Sequence, residues 1–115
     1  MHELSIAMSI VEMAEEEAAR HGSARVESVY LRLGLLSGVA QEALLSCYEM
    51  VCAATPLEGS HLLIEQVPVE VFCPSCQERK RVTSIQWMCC PECGTPTPEV
   101  VQGRELEVVA MEIKE

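Results

Sequence analysis

The chain of 115 residues is long enough for one modest core with a small second lobe. Its hydrophobic fraction is 49%, yet its aromatics are only Tyr30, Tyr48, Phe72 and Trp87, so the core must be aliphatic. Eight Lys and Arg against eighteen Glu, with no Asp, give a net charge of −10. That balance argues against nucleic acid as the main partner and against an anionic membrane surface, both of which draw on clustered Lys and Arg.

Taken in chain order, Leu4, Ala7, Met8, Val11, Ala14 and Ala18 recur at helical spacing, with Glu12, Glu15, Glu16 and Glu17 largely off that stripe. A helix is therefore expected over residues 4 to 21, stopped by Gly22. Val29, Leu31, Leu33 and Leu35 then alternate with Ser28, Tyr30, Arg32 and Gly34, the period of a strand. A second helix fits residues 40 to 54, with Leu44, Leu45, Tyr48, Val51 and Cys52 on its apolar side and Thr55-Pro56 ending it. The run from Leu62 to Cys73 is rich in β-branched residues and reads as a strand, with Pro68 at an edge position or a bulge. A last strand fits Glu105 to Ile113. The order predicts a small α+β fold, a three-stranded sheet covered by two helices, interrupted by a zinc-ribbon-like insert. The expected division is an α+β domain of residues 1–72 and 99–115 and a metal-binding lobe of residues 73–98.

No segment reaches the roughly 20 uninterrupted apolar residues of a membrane span. The opening MHELSIAMSIVEMAEEE has no basic start and carries glutamates where a signal peptide is apolar. A cytoplasmic location is expected, where thiols stay reduced, and seven cysteines there point to a metal site before disulfides.

Residues 73–98 hold five of those cysteines and four of the six prolines. Cys73-Pro74-Ser75-Cys76 and Cys90-Pro91-Glu92-Cys93 are two C-x-x-C knuckles separated by thirteen residues. Two such pairs offer four thiolates to one tetrahedral ion, as in structural zinc sites; four-thiolate iron is chemically open too. A closed set of four leaves no position for substrate, so the metal's role is structural. Cys89 adjoins Cys90 and offers an alternative third ligand at C-x-x-x-C spacing. CPSC alone could be a redox dithiol, but the second pair and the lack of a thioredoxin-like start count against it. The basic triplet Arg79-Lys80-Arg81 reads as a solvated turn offsetting local negative charge.

At the N-terminus, the Met1 amine, the His2 backbone nitrogen and the His2 imidazole can close fused chelate rings on one ion, and Glu3 could complete the set. Such donors in one plane suit nickel(II) or copper(II). With these residues in view, MHELSIAMSIVE, LGLLSGV, the Leu57-Glu58-Gly59 turn and the paired knuckles before LEVVAMEIKE resemble the HypA/HybF family over essentially the whole chain. The resemblance implies a non-enzymatic nickel metallochaperone that delivers nickel to a nickel–iron hydrogenase large-subunit precursor during maturation. It implies nickel at Met1, His2 and Glu3, and zinc at Cys73, Cys76, Cys90 and Cys93. The implied partners are a HypB-type GTPase, the hydrogenase precursor and, in some organisms, urease maturation proteins. A zinc-ribbon interaction adaptor with no nickel role is the alternative.

Overall fold

The computed structural model describes residues 2–22, 24–82, 86 and 88–114. Among these residues eight elements follow one another: α1 (Glu3–Arg20), β1 (Arg25–Gly34), α2 (Gln41–Cys52), β2 (His61–Val67), β3 (Glu70–Cys73), β4 (Glu78–Arg81), β5 (Val100–Gln102) and β6 (Leu106–Lys114). They make an α+β fold with two three-stranded sheets, one in the order β2-β1-β6 and the other β4-β3-β5. The residues fall into two compact units: Met1–Leu31, Gly38–Glu65 and Glu107–Glu115 form the first, Arg32–Ser37 and Gln66–Leu106 the second. Among the described residues no helix is long and apolar enough to cross a membrane.

In the first unit α1 packs on α2. The face that α1 buries is Ala7, Ile10, Val11, Ala14 and Ala18, a stripe of small and β-branched groups. Leu4 and Met8, expected on that stripe, are 44% and 55% exposed, and Ile10 takes the inner position instead. At about 100° per residue Leu4 and Ile10 flank the line through Ala7, Val11, Ala14 and Ala18 on opposite sides, and the helix is buried on the Ile10 side. Likewise α2 buries Leu44, Tyr48 and Cys52, while Leu45 is exposed and Val51 half-buried. Leu57 is fully buried in the turn that follows, where Gly59 adopts φ +83° and the Ser60 N–H closes back on the Leu57 carbonyl at 2.9 Å. Only glycine enters that left-handed region without steric cost.

The second unit has a much smaller apolar cluster, Val69, Val71 and Val82, with half-buried Leu36, Met88 and Val100 against it. Strand β3 sits between two antiparallel neighbours. It pairs with β4 from Glu70 opposite Arg81 to Cys73 opposite Glu78, and with β5 through a shifted register between Glu70 and Val71. The single strand expected from Leu62 to Cys73 is thus two, β2 and β3. Pro68 cannot donate to a ladder, and its carbonyl instead accepts from the Gln102 side chain at 3.0 Å. Neither β4 nor β5 was expected from the sequence, since ERKR and VVQ are too short to alternate. Within this unit Gly34 and Gly103 meet backbone to backbone. A Cβ on Gly34 would lie 2.1 Å from the Gly103 carbonyl oxygen, a separation no side chain can occupy.

Candidate metal centre

Both knuckles are built the same way. Cys73 is the last residue of β3, and the chain turns through Pro74, Ser75 and Cys76 to Gln77, which adopts φ +57°. The Gln77 N–H then returns to the Cys73 carbonyl at 2.8 Å, and the Cys76 N–H points at Cys73 Sγ at 3.3 Å. In the second knuckle Gly94 takes φ +75° and its N–H returns to the Cys90 carbonyl at 2.9 Å. A residue of positive φ directly after the second cysteine therefore curls each loop so that both of its sulfurs face the same side.

These two loops bring Cys73, Cys76, Cys90 and Cys93 together, with their four sulfurs all within 4.8 Å of one another. Cys73 Sγ and Cys93 Sγ are 3.5 Å apart, and Cys76 Sγ and Cys90 Sγ 4.0 Å apart. A tetrahedron with metal–sulfur bonds of about 2.3 Å has edges of about 3.8 Å, so the cage has the size a four-coordinate zinc ion requires. Cys89 lies outside the group, and its backbone bridges antiparallel to Pro96.

Four clustered thiols cannot all ionise on their own. Cys76 is pushed up to about 12 by its hydrogen bonding with Cys93 and then Cys73. Cys93, the exposed member, is lowered to about 6, first by the Thr95 hydroxyl and then by the Thr95 backbone N–H. Thr95 Oγ1 lies 3.1 Å from Cys93 Sγ and 3.0 Å from Ser75 Oγ, so one hydroxyl links the two knuckles. A bound dication removes the conflict among the thiols by displacing the remaining protons.

The basic triplet is not a solvated turn. It lies on β4, where Arg79 pairs with Glu70 at 3.0 Å. The Lys80 side chain is 9% exposed and pairs with Glu78 at 2.6 Å and with Glu92 at 2.8 Å. These carboxylates, Glu78 foremost, raise the Lys80 pKa above its usual range. Because Glu92 stands inside the second knuckle, Lys80 straps that loop to β4. Sequence reasoning missed this strap; its only trace was an acidic residue between Cys90 and Cys93 with a lysine in the spacer.

At the chain start, Met1 lies outside the described residues. His2 is exposed and extended (φ −92°, ψ 105°), forming the N-cap of α1. The Glu3 carboxylate accepts a hydrogen bond from the Ala40 N–H at 3.0 Å. That bond, followed by Glu3's own backbone N–H, lowers its pKa from the ordinary carboxylate value.

Residues 1–113 match the family model described as "Hydrogenase/urease nickel incorporation, metallochaperone, hypA". A hydrogenase maturation factor HypA from Roseiflexus sp. (strain RS-1) is 47% identical over 115 residues, covering 100% of this chain and 94% of that protein. A hydrogenase maturation factor HybF from Klebsiella pneumoniae is 35% identical over 112 residues, covering 97% of this chain and 98% of that one. The fold is also that of the solution structure of the Ni metallochaperone HypA from Helicobacter pylori, with a TM-score of 0.65 at 23% identity, covering 98% of this chain and 97% of that one.

Proposed function

The chain belongs to the HypA family of hydrogenase/urease nickel-incorporation metallochaperones, not enzymes, and from that premise we propose how it handles its cargo. Nickel(II) binds at the terminal segment Met1-His2-Glu3, through the Met1 amine, the His2 backbone nitrogen and the His2 imidazole. It passes by ligand exchange to a nickel–iron hydrogenase large-subunit precursor, with a HypB-type GTPase as partner and urease maturation proteins as further partners where urease is made. The observation that carries this reading is the family match from residue 1, joined to a His2 that stands exposed at the very start of α1. A cargo ion must be reachable by the client's donors, and few protein ligands at a chain end allow that.

In the same reading Cys73, Cys76, Cys90 and Cys93 hold zinc. The support is the size of the sulfur cage and its four donors, the number a tetrahedral structural site takes. Zinc neutralises the crowded thiols and closes the two knuckles on each other, while Lys80 holds the second against β4. Residues 1–72 and 99–115 serve the nickel, and residues 73–98 serve the zinc. The protein works in the cytoplasm, where these thiols stay reduced.

Metal content measured after nickel loading and gel filtration tests this. The wild-type protein should carry one nickel and one zinc, and His2→Ala should keep its zinc and lose its nickel. Equal nickel in both proteins sinks the terminal site and moves the nickel elsewhere, and none in the wild type leaves the zinc-ribbon adaptor.

A further inference from the structure

Glu3 stands where two helices begin. Helix α1 opens at Glu3 with His2 as its N-cap, and α2 opens at Gln41 with Ala40 as its N-cap. Neither cap residue supplies a side-chain hydrogen bond. The first amides of a helix have no partner inside it, and together they present a partial positive charge. The Glu3 carboxylate answers that need at α2 by accepting from the Ala40 N–H, and in doing so it ties two points 37 residues apart.

This bond bears on what the carboxylate can do for a metal. The planar donors that nickel(II) favours, an amine, an amide nitrogen and an imidazole, are all supplied ahead of the Glu3 side chain, by Met1 and His2. The Glu3 side chain, by contrast, is already directed at Ala40. Building on the terminal nickel site proposed above, we infer that the Glu3 side chain is a positioning residue and not a nickel ligand: its hydrogen bond to the Ala40 N–H pins the start of α1 to the start of α2 and so fixes where the His2 donors are presented. A donor set held in place before the ion arrives binds it more tightly than one that must be ordered on arrival.

The test uses the 115-residue chain with Met1 as its first residue. It comprises calorimetric titration with nickel chloride and the electronic spectrum of the nickel-loaded protein, for the wild type, Glu3→Gln, Glu3→Ala and His2→Ala. Glutamine keeps an oxygen that can accept from Ala40 but is a poor nickel ligand; alanine keeps neither property. Glu3→Gln should bind nickel within about threefold of wild type, and Glu3→Ala about tenfold more weakly, the size expected for losing one pre-ordered contact. Both should show the wild-type spectrum, because the ligand set is unchanged. In wild type, the amide resonance of Ala40 should stay in place as nickel is added.

If Glu3→Gln loses nickel as fully as Glu3→Ala and its spectrum shifts, the carboxylate is a ligand and the inference fails. If Glu3→Ala binds like wild type, the contact does not position the donors and the inference fails equally. Wild-type binding by His2→Ala is a different failure, since it removes the terminal site itself whatever Glu3 does.

Discussion

The first unit buries Leu31, Leu44, Leu57, Val11 and Val29 almost completely, together with Ala7, Ala14 and Ala18 from α1. The second unit buries a few valines and Leu33, and two further members of its interior, Cys73 and Cys90, belong to the thiol cage. One unit thus has the aliphatic interior that the scarcity of aromatics foretold. The other has a three-stranded sheet, a small valine cluster and a cage of four thiols. A region with so little apolar area to remove from water needs a cross-link, and a metal ion in a four-sulfur cage is that cross-link. The difference shows that one chain can be sensitive to truncation of side chains in one place and to chelation in another.

The largest expected effect separates the two regions by metal. Cys73→Ala, or a strong chelator acting on the wild type, should release the ion and unfold the second unit, since a structural zinc contributes ~10 kcal/mol or more to such modules. Amide resonances of residues 70–102 should collapse while the helical circular dichroism of α1 and α2 persists. Helical signal lost in step with the metal would show that the two regions melt as one and that the contrast is only local. Cys89→Ala should retain the metal, as Cys89 stands outside the cage.

Next in size is a cut into the first unit. Leu44 is fully buried on α2, and Leu44→Ala should cost about 2–5 kcal/mol of stability while leaving metal content at the wild-type level. Urea unfolding followed at 222 nm measures the loss. A Leu44→Ala protein that also sheds its metal would mean that the apolar core supports the sulfur cage after all.

Gly34→Ala probes the second unit without touching a sulfur. Its added Cβ would sit 2.1 Å from the Gly103 carbonyl oxygen, so backbone must move. The cost should be at least about 1–3 kcal/mol. It should appear as faster metal loss to a fixed chelator, because the strain falls on the unit that the metal holds. Unchanged chelation kinetics with a lowered helical midpoint would assign Gly34 to the wrong region.

The smallest effect concerns alkaline pH. Burial pushes the Cys52 thiol up and, more strongly, the Tyr48 hydroxyl, which bonds to Ser60 at 2.7 Å. Both groups are neutral when protonated, and the folded interior disfavours their anions. The stability they contribute is therefore full below the ordinary thiol range near ~8.5 and declines as pH rises beyond it. Melting temperatures at neutral and alkaline pH should show the decline, and Cys52→Ala should flatten part of it.

Much of this was legible in the sequence, and the remainder was hidden for identifiable reasons. Period-two alternation around Val29 and Leu31, helical spacing through Val11 and Ala14, and the paired knuckles each gave an element or a cluster directly, because each is a local pattern. Stripe edges were less clear: Leu4, Met8 and Leu45 are apolar in type and exposed in place, since composition does not say how wide a helix's contact face will be. The strands β4 and β5, at four and three residues, carry no period and form only because β3 lies between them. The approach of Gly34 to Gly103, the Lys80–Glu92 strap and the Glu3–Ala40 bond join residues far apart in the chain, where spacing carries no information.

The sulfur cage is also lopsided. Cys73 and Cys90 are buried and Cys76 half-covered, while Cys93 faces water beside the Thr95 hydroxyl. A metal ion held among them would be shielded on three sides and open on one. Its departure would then be a matter of attack and not of spontaneous escape: a competing ligand meets the Cys93 sulfur first and peels the ion away from that corner. The rate of loss would rise in proportion to the competitor's concentration, and small ligands would outrun bulky ones of equal affinity. The pace at which the site gives up its ion would in this way rest on Cys93 more than on its covered partners.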